Sequence, residues 1–140
     1  MRFLSISTLI LLFNDSYASI KTCGGSFSIN ELILNPDVQV TAGDNVTLSL
    51  LYTSPVTVED GTIKTSLTYN FIPMPPKVEP LCATVQCPLV AGEHDGSSWF
   101  TIPTGLLGTV VTRVEWFDTA QELLLCLTTT LKVAMRSIFT

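Results

Sequence analysis

Apolar and polar residues alternate along most of this chain. Four runs carry large apolar side chains at alternate positions, with occasional gaps. The residues that share a face in each run are Val46, Leu48, Leu50 and Tyr52; Ile63, Leu67, Tyr69 and Phe71; Val110, Val114 and Trp116; and Leu123, Leu125, Leu127, Leu131 and Val133. A repeat of two residues is that of a β-strand with one buried face, whereas a helix repeats about every 3.6 residues. Helical periodicity is almost absent, so the pattern predicts an all-β chain.

Short turn-forming sequences separate the apolar runs. They are Asn35-Pro36-Asp37, Ala42-Gly43-Asp44, Glu59-Asp60-Gly61, Ala91-Gly92 and Asp118-Thr119. These residue types favour turns because they pre-set or tolerate the backbone angles that turns need. About seven strands result, which predicts two antiparallel sheets packed face to face as an immunoglobulin-like β-sandwich. The Cys-Trp-Cys spacing of antibody domains is missing, because Trp116 lies only ten residues before Cys126.

The N-terminus has the pattern of a secretory signal peptide. Arg2 supplies a positive charge, residues 3–13 are mostly apolar, and Ser16-Tyr17-Ala18 provides small residues before a cleavage site. The apolar stretch is shorter than the ~20 residues that a transmembrane helix needs. A buried N-terminal helix is the alternative, but the stretch has no amphipathic face. We expect a signal peptide over residues 1–18, one domain over 19–134 and a short tail over 135–140.

The charged residues argue against a nucleic-acid partner and against catalysis. The net charge is −5 and there is no basic run to hold phosphates. His94, the only histidine, lies in a polar, turn-like stretch without a nearby nucleophile. Glu115, Asp118 and Glu122 cluster at a predicted turn, where paired carboxylates would have no cleft to act in. We therefore expect no enzyme activity, no cofactor and no metal site.

Four cysteines occur in the predicted mature chain: Cys23, Cys82, Cys87 and Cys126. In a secreted protein, four cysteines favour two disulfides over free thiols. A zinc site would call for two closely spaced pairs, and only Cys82 and Cys87 lie near each other. Two disulfides are therefore expected, and four cysteines allow three pairings.

Several short motifs together resemble those of one known family. They are Cys23-Gly24 before the first strand, Asn35-Pro36-Asp37 after it, Leu81-Cys82 with Cys87-Pro88-Leu89 and Gly92, and Val114-Glu115-Trp116 leading to Cys126. This arrangement resembles the ML domain, a family that includes the Niemann-Pick type C luminal sterol carrier, the ganglioside activator protein and phosphatidylglycerol/phosphatidylinositol transfer proteins. The resemblance covers about residues 23–133. It implies a sandwich that holds a lipid in an apolar cavity between its sheets.

The resemblance also implies which side chains line that cavity. The expected lining residues are Leu48, Leu50, Tyr52, Ile63, Leu67, Tyr69, Phe71, Val110, Val114, Trp116, Leu125 and Leu127. Periodicity alone would place the same side chains in an ordinary core about 10 Å thick. The family pattern further implies disulfides Cys23–Cys126 and Cys82–Cys87. Sequence proximity agrees with the second pair, and alternation agrees with the first, since it leaves Cys126 on the outer face of its strand.

Two segments outside the predicted strands are unusually apolar for loops, which normally run over the surface. They span residues 71–76 and 99–108. Their side chains either plug the end of the sandwich or form an apolar rim through which lipid passes. The expected rim residues are Met74, Trp99, Phe100, Leu106 and Leu107.

Two functions follow from these features. The first is a lipid-binding or lipid-transfer protein that holds a sterol, phospholipid or glycolipid and touches membranes transiently. The alternative is a secreted immunoglobulin-like module that recognises a protein and holds no lipid. We expect a monomer, either secreted or in the endosomal, lysosomal or vacuolar lumen, that serves a membrane or a luminal protein acceptor. Asn45-Val46-Thr47 is a sequon on the outward face of its strand, so N-glycosylation is expected at Asn45.

Overall fold

The computed structural model describes residues 17–35, 40, 43–102, 104 and 107–133. Within these ranges the chain forms nine β-strands and one short 3₁₀ helix, Leu81–Ala83. The strands are β1 Tyr17–Gly24, β2 Ser28–Asn35, β3 Asn45–Ser54, β4 Gly61–Tyr69, β5 Ile72–Pro73, β6 Lys77–Pro80, β7 Gly92–Thr101, β8 Gly108–Asp118 and β9 Leu123–Val133. None of the helical residues described forms a segment long and apolar enough to cross a membrane.

The strands form two antiparallel sheets. The large sheet has the order β1-β9-β8-β4-β5, with β6 also paired to β4, and the small sheet has the order β2-β3-β7. The predicted antiparallel sandwich is therefore confirmed. The two shortest strands, β5 and β6, lie in the proline-rich region, where alternation gives little signal. Proline lacks an N–H for the ladder and keeps such strands short.

Cross-strand pairing places the apolar faces of the large sheet in rows. One row contains Ile63, Trp116 and Leu125, and the next contains Thr65, Val114 and Leu127. Paired residues point to the same side of a sheet, so each row spans its inner face. The predicted face of β4 ends at Tyr69, however. Asn70 and Phe71 have positive φ angles of 48° and 69° and form the turn into β5, so Phe71 does not continue the strand.

A β-bulge in β9 changes the predicted alternation. Trp116 pairs with Leu125 and Phe117 with Leu123, so Leu124 is an extra residue without a partner in β8. Leu124 and Leu125 are both buried in the same apolar cluster, although strict alternation would place them on opposite faces. A bulge adds one residue to one strand only and thereby re-aims the side chains around it.

Buried apolar residues form two clusters. The first includes Phe27, Tyr52, Leu81, Trp116 and Leu125. The second is formed by Ala18, Leu34, Val40, Val46, Ile102, Leu131 and Val133.

β1 begins at Tyr17, so the two residues before the predicted cleavage site take part in strand pairing with β9. Cleavage after Ala18 stays a prediction, and residues 1–16 and 134–140 lie outside the described residues.

Candidate functional site

A cavity of about 920 Å³ lies between the two sheets. The small sheet contributes β3 and β7 to its wall, and the large sheet contributes β4, β6, β8 and β9. Residues 84–90, between the 3₁₀ helix and β7, complete the wall. Its apolar surface comes from Leu48, Leu50, Tyr52, Ile63, Val85, Leu89, Val90, Val114, Trp116 and Leu127. A volume of this size is in the range of sites that hold small organic molecules.

Seven of the twelve expected lining residues lie around this cavity. They are Leu48, Leu50, Tyr52, Ile63, Val114, Trp116 and Leu127. They come from four strands in two sheets, and alternation alone was enough to place each of them on the inner face.

The other five expected lining residues lie elsewhere. Leu125 is only 1% exposed and packs within the first apolar cluster, while Val110 packs against the second. Leu67 stands in β4 beyond Ile63 and Thr65, and its carbonyl accepts a hydrogen bond from the Met74 N–H. The Tyr69 hydroxyl donates to the Leu107 carbonyl at 2.7 Å. Phe71 is 89% exposed in the β4–β5 turn, so its expected place in the lining is wrong.

The inner face of β7 is a part of the wall that periodicity missed. Gly96 pairs with Leu50 and Ser98 pairs with Leu48. These small residues leave space opposite two leucines, whereas two large residues there would fill it. The signal in the sequence is weak, because β7 carries no run of large apolar residues and its first half, residues 92–96, has the composition of a polar turn.

His94 also lies in β7, so its expected place in a turn-like stretch is wrong. It pairs with Tyr52 across the small sheet, and the two ring centroids are 5.7 Å apart. Its Nε2 bonds to the Val90 carbonyl, which ties β7 to the segment before it. The imidazole forms part of the cavity wall.

Tyr52 is the most enclosed polar side chain of the wall, at 3% exposed. Its ring stacks on Phe27 and meets Trp116 edge-on, with centroid distances of 5.7 Å in both pairs. Burial is the main cause that raises the pKa of the Tyr52 phenol above its ordinary value, and the negative charge of Asp95 adds to it. The phenol therefore stays protonated through the physiological range.

The expected rim residues do not line the cavity. Met74 and Leu107 are exposed near the Tyr69 end of β4, whereas the wall uses Ile63 and Thr65 near the opposite end. Six residues of strand separate Ile63 from Tyr69, a distance of about 20 Å. Trp99 is 70% exposed and pairs with Thr47 on the outer face of the small sheet. Phe100 is turned inward and packs against the second cluster, and Leu106 lies outside the described residues.

Both expected disulfides are present, Cys23–Cys126 and Cys82–Cys87. Cys23 is the extra residue of a bulge in β1, since Thr22 pairs with Leu127 and Gly24 pairs with Cys126. The Cys82–Cys87 disulfide links the 3₁₀ helix to residues 84–90, which form part of the cavity wall. Cys87 itself lines the cavity. Over the residues that the structure describes, no group of three or more His, Cys, Asp or Glu side chains could hold a metal ion.

Comparison with known proteins identifies others with the same architecture. Residues 18–133 match the family described as the ML domain. A Niemann-Pick type C2 protein from the Japanese carpenter ant superposes with a TM-score of 0.57 at 16% identity, covering 79% of this chain and 96% of that one. Chicken MD-1 in complex with lipid IVa superposes with a TM-score of 0.56 at 13% identity, covering 84% of this chain and 90% of that one. No curated protein sequence matches. The family match spans most of the chain, and this protein therefore belongs to the ML-domain family.

Proposed function

We propose that this protein is a lipid carrier that binds one lipid molecule between its two β-sheets without chemical conversion. The observation that carries the proposal is the cavity of about 920 Å³ with apolar walls from both sheets. The sandwich match to chicken MD-1, whose structure was solved in complex with lipid IVa, supports the same assignment.

The energetics favour a lipid over an empty cavity. Protein interiors are packed about as densely as organic crystals, so a space of this size forfeits many contacts. An acyl chain or sterol ring system would restore them, and each buried CH₂ group contributes about 0.8 kcal/mol before ordering costs. Ten such groups would contribute about 8 kcal/mol, from which the entropy cost of binding must be subtracted.

Secretion or delivery to an organelle lumen is part of the proposal. Its support is the predicted signal peptide together with two disulfides, which persist in oxidising compartments. Asn45 and Thr47 are exposed on the outer face of β3, where the predicted glycan would not obstruct the cavity. The Asn45 Oδ1 accepts a hydrogen bond from the Thr101 hydroxyl at 2.6 Å, which glycosylation would have to accommodate.

The proposal extends to transfer of the bound lipid between membranes. The β4–β5 turn exposes Phe71 and Ile72, with Met74 after it and Leu107 beside it. This group of four residues, which we call the apolar hairpin tip, is the surface proposed to touch a bilayer. It keeps Met74 and Leu107 of the rim expected from the sequence and adds Phe71 and Ile72. Trp99 and Phe100 are left out, because Phe100 is turned inward and Trp99 lies on the outer face of the small sheet.

The decisive experiment is mass spectrometry of lipid extracted from protein secreted by a eukaryotic host. We expect one lipid class at close to equimolar amount, and a neutral fluorescent probe such as phenylnaphthylamine should bind after the lipid is removed. Protein that carries no lipid and binds no apolar probe would favour the alternative of a protein-recognition module.

A further inference from the structure

Trp99 stands out on the outer face of β7, a strand that the structure describes along its whole length. The other residues of β7 on this face are all polar: Glu93, Asp95, Ser97 and Thr101. Trp99 is 70% exposed, and β7 is an edge strand of the small sheet, so no described strand pairs with its other side. Exposed apolar side chains on edge strands favour association with other chains unless something covers them.

The strand register places Trp99 beside the predicted glycosylation sequon. Asn45 pairs with Thr101, and Thr47 pairs with Trp99, so the four residues share the outer face of the small sheet. Asn45 and Trp99 are therefore diagonal neighbours on adjacent strands, a spacing of about 7–8 Å that long and aromatic side chains can bridge. The glycan acceptor and the exposed indole are thus within reach of each other.

A hydrogen bond holds the Asn45 side chain toward β7. Its Oδ1 accepts this bond from the Thr101 hydroxyl at 2.6 Å. In N-glycosylation, the Asn45 Nδ2 bonds to C1 of the first N-acetylglucosamine, one amide hydrogen leaves as a proton, and the diphosphate of the lipid-linked donor is the leaving group. Oδ1 takes no part in the linkage and can keep its hydrogen bond. The first sugar therefore extends from a side chain that is held beside β7.

The surroundings of Trp99 suit a sugar ring. The neighbours of Trp99 on this face are Thr47 across the strand pair and Ser97 and Thr101 along β7. These side chains are too small to cover an indole. A pyranose ring has a face of C–H groups that packs against the electron-rich face of an aromatic ring. The hydroxyl-bearing neighbours can also form hydrogen bonds with the substituents of the sugar.

We propose that the first sugar of an N-glycan on Asn45 packs on the indole of Trp99 and covers it. The contact buries an apolar ring that the described residues leave mostly exposed. This inference rests on the proposed secretion and on glycosylation of Asn45. It gives that modification a structural role on the sheet face opposite to the cavity.

Three forms of the protein, secreted by a eukaryotic host that attaches high-mannose glycans, test the contact. They are the intact glycoprotein, the form trimmed with endoglycosidase H, which keeps one N-acetylglucosamine on Asn45, and Asn45→Gln, which carries no sugar there. Acrylamide quenching of Trp99 fluorescence should be about twofold weaker in the first two forms, because the sugar covers one of the two faces of the indole. Trp116, the other tryptophan, is only 8% exposed and contributes little to quenching.

A double-mutant cycle separates this contact from other effects of the glycan. The unfolding equilibrium constant of the one-sugar form should be about fivefold lower than that of Asn45→Gln, the size of a strong cross-strand contact. The difference should vanish when both forms also carry Trp99→Ala. Ile33→Ala is the matched control, because it removes an exposed apolar side chain from the same face at a position paired with Ser49. In that background the fivefold difference should persist. Urea unfolding measures all of these constants.

Two results would overturn the inference. One is equal quenching of the indole in all three forms, and the other is a sugar-dependent stability difference that persists with Trp99→Ala. Secreted protein without a glycan on Asn45, identified by peptide mass spectrometry, would contradict the inference and the predicted glycosylation together. The lipid content of the same preparations tests the carrier proposal separately, since the cavity lies on the inner face of the sheet, so the two failures are distinguishable.

Discussion

Gly96 of β7 lies opposite Leu50 of β3 in the small sheet, and a β-carbon added at Gly96 would meet no other atom within 4 Å. Across the cavity stands the large sheet with Val114 and Leu127. The missing side chain at Gly96 is thus one physical origin of the open space, because the residue paired with Leu50 adds nothing to fill it.

This relationship predicts that a large residue at Gly96 blocks the cavity. We expect Gly96→Trp to fold, since the added side chain enters open space at an ordinary backbone conformation. It should reduce copurified lipid and phenylnaphthylamine binding at least tenfold, because the indole occupies the ligand's volume. Probe titration and lipid extraction measure both effects.

Ser49→Trp is the matched control for this change. Ser49 is exposed on the outer face of β3, so the same ring is added to the same sheet without entering the cavity. Equal lipid content in Gly96→Trp, Ser49→Trp and the parent protein would rule out this cavity as the binding site.

The two disulfides should differ in their effect on stability. Cys23 and Cys126 are 103 residues apart in sequence, so removing this link with Cys23→Ala/Cys126→Ala should lower the free energy of unfolding by about 4–5 kcal/mol in the chain-entropy account. Cys82 and Cys87 are only 5 residues apart, and the corresponding loss should be about 2 kcal/mol. Urea unfolding without reductant compares them. The opposite order of stability would contradict the argument.

The apolar hairpin tip should control transfer without affecting binding. Phe71→Asn with Ile72→Ser removes two exposed apolar side chains, and Asn tolerates the positive φ that Phe71 adopts. Each side chain could contribute roughly 1.5–3 kcal/mol on entering a bilayer, so transfer between vesicles should slow about tenfold or more. Binding of phenylnaphthylamine should stay unchanged.

Ile33→Ser provides a control for that prediction, because Ile33 is an exposed apolar residue of β2, on the other sheet. If the hairpin variant transfers lipid as fast as the Ile33 variant and the parent, the proposed membrane contact is in the wrong place. Added salt should change the parent's transfer rate little, since an apolar contact is not screened.

Tyr52 should make the fold sensitive to alkaline pH. The folded-state pKa of its phenol is raised above the ordinary value of 10.0, so the folded protein holds this proton more tightly than the unfolded chain does. Its stabilising contribution is complete below the unfolded pKa and is lost as pH rises through the folded pKa. Urea unfolding from neutral pH to above pH 10.0 should therefore show a steeper fall in the free energy of unfolding for the parent than for Tyr52→Phe. Parallel curves for the two proteins would contradict the assignment.

The sequence by itself was sufficient for the architecture and for much of the wall. Alternating apolar residues in β3, β4, β8 and β9 predict strands, because a strand with one buried face must repeat every two residues. The same alternation identifies the inner-face positions of Leu48, Leu50, Val114 and Trp116, which line the cavity. Both disulfides were also expected, since the family pattern and the positions of the cysteines agree.

Tertiary structure alone decided which inner-face residues meet the cavity. Alternation states which side chains share a face, but Leu125 and Ile63 share one and only Ile63 lines the space. The bulge at Leu124 and the turn at Phe71 are local backbone changes that a two-residue repeat does not predict. Gly96, Ser98 and Glu79 became part of the wall only through the register of strand pairs distant in sequence. A cavity is a property of the distance between two sheets, and that distance depends on every side chain that packs between them.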